Sequence, residues 1–228
     1  MNTIAVAIDG PSGAGKSTIA RAAAAAMGFV YVDTGAMYRA IGLAVSRQGI
    51  VIGEPEKVLP MLNEQLRIGL TYDDAGVQHV LLNGEDVSSH IRTPEMSMYA
   101  SFVSAIPEVR AFLLDTQRNL AKTTNVIMDG RDIGTVILPD AQVKIFLTAS
   151  AQARAERRLK ELQEKGETVT FDEVLSDMLQ RDKQDSERAT APLRQAEDAV
   201  LVDTSDLTLE QSIESILQHI RTAVEENT

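Results

Sequence analysis

The run Gly10-Pro11-Ser12-Gly13-Ala14-Gly15-Lys16-Ser17, followed by Thr18, sets glycine, lysine and serine at the spacing G-x-x-x-x-G-K-[ST]. The chemistry that uses all of these residue types at once is the binding of nucleotide phosphates. Glycines let backbone N–H groups turn inward around phosphate oxygens, and a helix starting at the loop's end presents its positive terminus to the same anion. Lys16 would reach the β- and γ-phosphates, and the Ser17 hydroxyl would ligate Mg²⁺. A merely glycine-rich turn would leave Lys16 without a purpose. A phosphate loop does not name the acceptor, however, and a small-substrate kinase, a GTPase-like switch and an ATPase motor all carry one. The chain has no Asn-Lys-x-Asp guanine-reading motif and no Leu-Ser-Gly-Gly-Gln, which weakens the last two.

A kinase needs a second set of cations, and three segments offer one. Asp33-Thr34-Gly35-Ala36-Met37-Tyr38-Arg39 follows a strand-like run. Thr34 is placed there to cap a helix or touch a ligand, and Arg39 to grip a phosphate. Asp129-Gly130-Arg131-Asp132 follows another apolar strand, where Asp129 can hold a water of Mg²⁺ and Arg131 and Asp132 reach the ligand edge of a sheet. Arg181, Asp185 and Arg188 at i, i+4 and i+7 share one helical face, and Arg154, Arg157 and Arg158 fall on the preceding helical segment. Such faces either pair with themselves as solvated salt bridges or form a lid that closes on transferring phosphate. His79, His90 and His219 share no spacing and are read as structural.

The elements that must position these residues follow from apolar patterning. Short apolar runs at Thr3–Ile8, Phe29–Val32, Val126–Met128, Val143–Leu147 and Ala199–Val202 read as strands covered on both faces. Helical patterns fall at Ser17–Met27, Ala36–Gln48, Pro107–Lys122, Ser150–Lys165 and Leu209–Glu225, and Gly28, Gly49 and Gly166 act as stops for three of them. The alternation predicts an α/β fold with a parallel sheet. Leu66–Tyr72, Val77–Leu82 and Glu85–Val87 break the rhythm and predict an antiparallel meander with an Asn83-Gly84 hairpin turn, inserted between about Gly53 and Thr93. The stretch Arg154–Arg194 reads as a charged helical pair, and Ala22–Ala26 as a close-packing helix surface.

Composition bounds the partners. The 228 residues carry 22 Lys+Arg against 33 Asp+Glu, a net charge of −11, which argues against broad binding to nucleic acid or anionic membranes. There is no cysteine, so thiol nucleophiles, thiolate metal sites and disulfides are excluded. Aromatic residues make up only 4%, with no tryptophan, which disfavours stacking platforms for single strands. Met1–Ile8 lacks a basic leader and meets a Gly-Pro turn at once, so it reads as a buried first strand and not as a signal peptide or membrane span. Of the 22 cations fifteen are arginine, the better fork for phosphate, and their placement matters more than the net charge.

Taken in order, Ile8–Ser17, Asp33–Arg39, Asp129–Gly134 and Arg181–Ala189 resemble the bacterial cytidylate kinases over nearly the whole chain. That resemblance implies ATP-dependent, Mg²⁺-dependent phosphorylation of CMP and dCMP in a P-loop NTPase three-layer α/β fold with a parallel sheet. It implies one domain over residues 1–228, comprising a core, an NMP-binding insertion with a small antiparallel sheet at about 36–105 and a short helical lid at about 154–190. It assigns Lys16, Arg131, Arg188 and Asp129 to catalysis, with Ser17 on the metal and Gly10 to Thr18 together with Arg157 on ATP. Thr34, Arg39, Ser101, Arg110, Arg131, Asp132, Arg181, Asp185 and Arg188 match the acceptor site, Ser101, Arg110 and Asp132 reading the cytosine edge. A cytoplasmic monomer acting on small molecules is the accompanying expectation.

Overall fold

A computed structural model describes residues 3–63, 66–164 and 166–226. Met1 and Lys165, which the patterning places at the ends of a strand and a helix, lie outside the described residues. The chain divides into two compact units, one formed by residues 1–31 and 124–228 and the other by residues 32–123.

The first unit is built on strands β1 (Ala5–Asp9), β2 (Val30–Asp33, shared at the boundary), β6 (Val126–Gly130), β7 (Val143–Thr148) and β8 (Val200–Asp203), in the order β2-β6-β1-β7-β8. The β1–β6, β1–β7 and β7–β8 ladders are parallel. One face carries α1 (Lys16–Met27) and α8 (Leu209–Glu226). Ala20, together with Ala23 and Ala24 of the alanine run, is buried in one cluster with Ile216, Leu217 and Ile220 of α8 and with Val6, Ile8, Ile145 and Leu147 of the sheet. Small side chains let the two helices and the strands approach closely. Helices α6 (Ala151–Glu164) and α7 (Phe171–Glu187) form the charged pair, joined through Ala155, Leu162, Val174 and Met178. Thr170 caps α7 in a capping box with Glu173.

The second unit holds the expected antiparallel sheet, β3 (Ile68–Tyr72), β4 (Gln78–Leu82) and β5 (Glu85–Asp86), with β4 central. Asn83 and Gly84 both take positive φ, 51° and 89°, as a two-residue hairpin turn requires. Around it stand α2 (Thr34–Arg47), α3 (Pro55–Asn63), α4 (Pro94–Ser104) and α5 (Pro107–Thr123). Helices α3 and α4 are additions to the patterning. Thr93 caps α4 by accepting from the Met96 N–H at 3.2 Å. Helix α2 starts one residue after the strand ends, and Asp33, not Thr34, is its cap, accepting from the Ala36 N–H at 2.9 Å. The side chain of Gln78 reads both backbone groups of Asp33, accepting from its N–H at 2.8 Å and donating to its carbonyl at 3.3 Å. Where α2 meets α4, a Cβ on Gly42 would stand 2.7 Å from the Cβ of Tyr99. Gly42→Ala is therefore expected to cost about 1–3 kcal/mol by overpacking, read as a lower urea midpoint with an unchanged slope.

Candidate active site

The phosphate loop turns off β1 through Gly10, whose φ is +150° and whose added Cβ would lie 1.9 Å from the carbonyl oxygen of Leu147, so glycine is required there. Gly15 takes the left-handed conformation and starts α1. Lys16 is buried and folds its Nζ back onto the Pro11 carbonyl at 2.6 Å. Burial, with the Arg131 and Arg181 guanidiniums adding to it, holds its ammonium well below the ordinary lysine pKa, although Asp129 and Asp9 oppose the shift. Ser17 donates to one oxygen of Asp129 at 2.8 Å, and the Tyr31 hydroxyl donates to the other at 3.0 Å. The hydroxyl and the carboxylate expected near Mg²⁺ are thus side by side, the carboxylate oriented from two directions, and the Tyr31 ring lies under the Arg21 guanidinium at 5.7 Å.

The loop after β6 brings in Arg131, which donates to Asp185 at 2.7 Å and to the Gly130 carbonyl at 3.2 Å. Burial alone would lower the Arg131 pKa, but the Asp185, Asp129 and Asp182 carboxylates reverse the sign and raise it. Burial likewise pushes Asp185 up, and Arg131, Arg181 and Arg188 together hold it below the usual carboxylate range. Asp132 is buried and pairs with Arg188 at 3.3 Å. Arg188 does not share a helical face with Arg181 and Asp185, because α7 ends at Glu187 and Arg188 is its extended C-cap, with its Nε donating to the Ala191 carbonyl at 2.6 Å. Arg181 approaches the Ser12 hydroxyl at 3.4 Å.

The three arginines of α6 diverge. Arg154 is buried on the phosphate loop, donating to the Ser12 carbonyl at 2.9 Å and to Asp182 at 2.6 Å. Arg157 donates to the Thr204 carbonyl at 2.6 Å, and Arg158 pairs with Glu161 at 3.0 Å near solvent. Asp182 also accepts from the Ser12 N–H at 3.3 Å, so a carboxylate of α7 touches the loop whose N–H groups suit anions. Asp182 falls inside the Arg181–Ala189 segment and takes no role from the sequence pattern. Its signal is the position three residues before Asp185, which puts both carboxylates on one face of α7.

The remaining predicted residues belong to the second unit. Thr34 is buried at the first turn of α2. The buried Nε of Arg39 has no hydrogen-bond partner among the described residues. Arg110 is buried in α5, donates to the Ser104 carbonyl at 3.2 Å and lies 5.5 Å over the Tyr38 ring. Ser101 sits in α4, its carbonyl accepting from Ser104 at 3.0 Å. Structure thus groups the loop, Asp129, Arg131, Asp132, Arg154, Arg181, Asp185 and Arg188 in one unit, and Thr34, Arg39, Ser101 and Arg110 in the other.

Comparison with known proteins finds relatives over nearly the whole chain. The family profile described as cytidylate kinase matches residues 6–222. A cytidylate kinase of Caldicellulosiruptor saccharolyticus is 52% identical over 219 residues, covering 96% of each chain. Another, from Caldanaerobacter subterraneus, is 50% identical over 96% of this chain and 95% of its own. Among solved structures, an uncharacterized protein from Eubacterium ventriosum superposes with a TM-score of 0.54 at 12% identity, covering 96% of this chain and 99% of that one, a likeness of fold alone.

Proposed function

The chain belongs to the cytidylate kinase family, and from that premise we propose that it transfers the γ-phosphoryl group of ATP to CMP or dCMP, giving ADP and CDP or dCDP. The observation that carries this reading is the buried Lys16, its charge disfavoured by burial and by Arg131 and Arg181 at a loop shaped for phosphate. Clustered, desolvated cations are costly by themselves and become favourable when anions fill the space between them.

Residues Gly10 to Thr18, with Arg157, hold ATP. Lys16, Arg131 and Arg188 neutralise charge on the transferring and acceptor phosphates. Thr34, Arg39, Arg181 and Asp185 seat the acceptor, and Ser101, Arg110 and Asp132 read its base. The oxygen donors Ser17 and Asp129, 2.8 Å apart, suit a hard cation that keeps most of its waters. Ser17 would hold Mg²⁺ and Asp129 one of its waters, and the ion when bound supplies charge neutralisation across the phosphates. Residues 36–105 act as the NMP-binding insertion and residues 154–190 as the lid of one catalytic domain. A cytoplasmic monomer acting on small molecules follows from the family resemblance alone, and two features bear on nucleic acid and membranes. The net charge is −11, and among the described residues no helix is long and apolar enough to cross a membrane.

The test is an assay coupled to ADP release, with ATP·Mg²⁺ and each of CMP, UMP, AMP and GMP, then dCMP. CMP and dCMP are expected to be turned over with a kcat/KM at least about 10²-fold above the others. Preference for another monophosphate would overturn the substrate, and ATP binding without ADP production would overturn the activity.

A further inference from the structure

Strand β1 is apolar until its last residue, where a carboxylate stands. Asp9 is only 5% exposed and follows the fully buried Val6, Ala7 and Ile8. A carboxylate in such a place must find hydrogen bonds. Asp9 finds two, one oxygen accepting from the Ile133 N–H at 2.8 Å and the other from the Gly134 N–H at 2.7 Å. These are the first two N–H groups of a single π-type turn, Ile133–Ile137, which begins immediately after Arg131 and Asp132.

The first N–H groups of a helical turn have no partner within it and are usually satisfied by the residue at the cap position. Here that residue is Asp132, with a chemically suitable side chain, yet it makes no side-chain capping bond. Asp9 does the capping from a strand 124 residues away in the chain. The Asp132 carboxylate instead accepts from Arg188 at 3.3 Å. Gly134 completes the fit: an added Cβ would lie 3.4 Å from the Asp9 carboxylate and 3.3 Å from the stem of Lys144. Charged groups face Asp9 from α1 (Lys16) and from the capped loop (Asp132), while Lys144 of β7 lies along the turn. Burial dominates over the two N–H bonds and pushes the Asp9 pKa up to about 6, so an Asn in its place changes shape little while setting an amide against an N–H donor.

We propose that Asp9 is a positioning residue for base recognition: by capping the 133–137 turn in place of Asp132, it leaves the Asp132 carboxylate directed at the acceptor base and fixes Arg131 beside it. The proposal rests on the reading of Asp132 as a base-reading residue and goes beyond it by naming what aims that residue.

The test is steady-state kinetics of Asp9→Asn and of Gly134→Ala, which approaches the same turn from the other side without changing a charge. Each is expected to lower kcat/KM for CMP at least about tenfold and to narrow the CMP:UMP ratio by a similar factor, with KM for ATP within about twofold of the parent. A parent protein that fails to prefer CMP would overturn the substrate reading. A CMP-selective parent whose ratio is unmoved in both variants would overturn the role of Asp9 alone. Loss that appears as a raised KM for ATP with the base ratio intact would also overturn it, by assigning Asp9 to the phosphate loop. If Asp9→Asn is not recovered folded, Gly134→Ala decides between these outcomes.

Discussion

Lys16→Ala is expected to lower kcat for CMP phosphorylation by about 10³-fold or more, because phosphoryl transfer is carried by charge stabilisation and this ammonium is the loop's own cation. Its geometry makes the substitution informative. Lys16 donates to the Pro11 carbonyl, and burial together with Arg131 and Arg181 disfavours its charge. Removing it relieves that penalty, so the variant is expected to unfold at the same or a higher temperature than the parent while losing activity. Calorimetry beside a single-turnover assay separates the two effects. The pH dependence has a definite sign. A lysine with a lowered pKa is charged below that pKa and neutral above it, so ATP affinity in the parent weakens as pH rises through a window beneath the ordinary lysine range. The alanine variant is expected to lack that dependence. Near-normal turnover in Lys16→Ala would refute the phosphate-loop mechanism.

Asp132→Asn is the second large effect. Asp132 is buried, paired with Arg188 at 3.3 Å, and held away from its local capping role. Cytosine presents an amine donor beside two acceptors, whereas uracil presents a carbonyl where the amine was. A carboxylate accepts from the amine and leaves the carbonyl facing unfavourable charge, while an amide can donate to it. The substitution is expected to reduce kcat/KM for CMP by about 10²-fold and to shrink the CMP:UMP ratio by at least about tenfold, measured at saturating ATP. An unchanged ratio would show that Asp132 does not read the base, whatever happened to the rate.

Much of this was legible in the residues, for physical reasons that differ by element. The phosphate loop is local: strand, glycines, lysine and helix are contiguous, and each position has a role that sequence order alone imposes. The hairpin at Asn83-Gly84 was equally local, since few residue pairs accept two positive φ values. Helix α4 escaped because Met98, which is exposed, and Phe102 widen its apolar stripe beyond the face that Met96, Tyr99, Ala100 and Val103 present, blurring the periodicity. Helix α3 escaped because Pro60 lies inside it, normally a reason to end a helix. The fourfold spacing of Arg181 and Asp185 was readable, but that α7 stops one residue before Arg188 was not. Nothing in a run of alternating charges says which carboxylate meets the loop. The pairing of Arg154 with Asp182 and the reach of Asp9 to residues 133 and 134 are decisions of tertiary folding, and only the anomaly of a charge ending an apolar strand hinted at the latter.

The parallel ladders that frame the phosphate loop have a consequence for how the molecule comes together. Strand β1 pairs with β6 through Ala5 and Val126, 121 positions apart, and with β7 through Val6 and Val143, still farther along the chain. Closing a loop of that length costs about 4 kcal/mol of chain entropy before the first ladder bond forms. High contact order of this kind is what slows folding, and here it is concentrated in the strand that ends at Asp9 and delivers Gly10. A nucleotide that binds only the finished loop therefore adds its binding free energy to these non-local ladders, so substrate and sheet hold one another together.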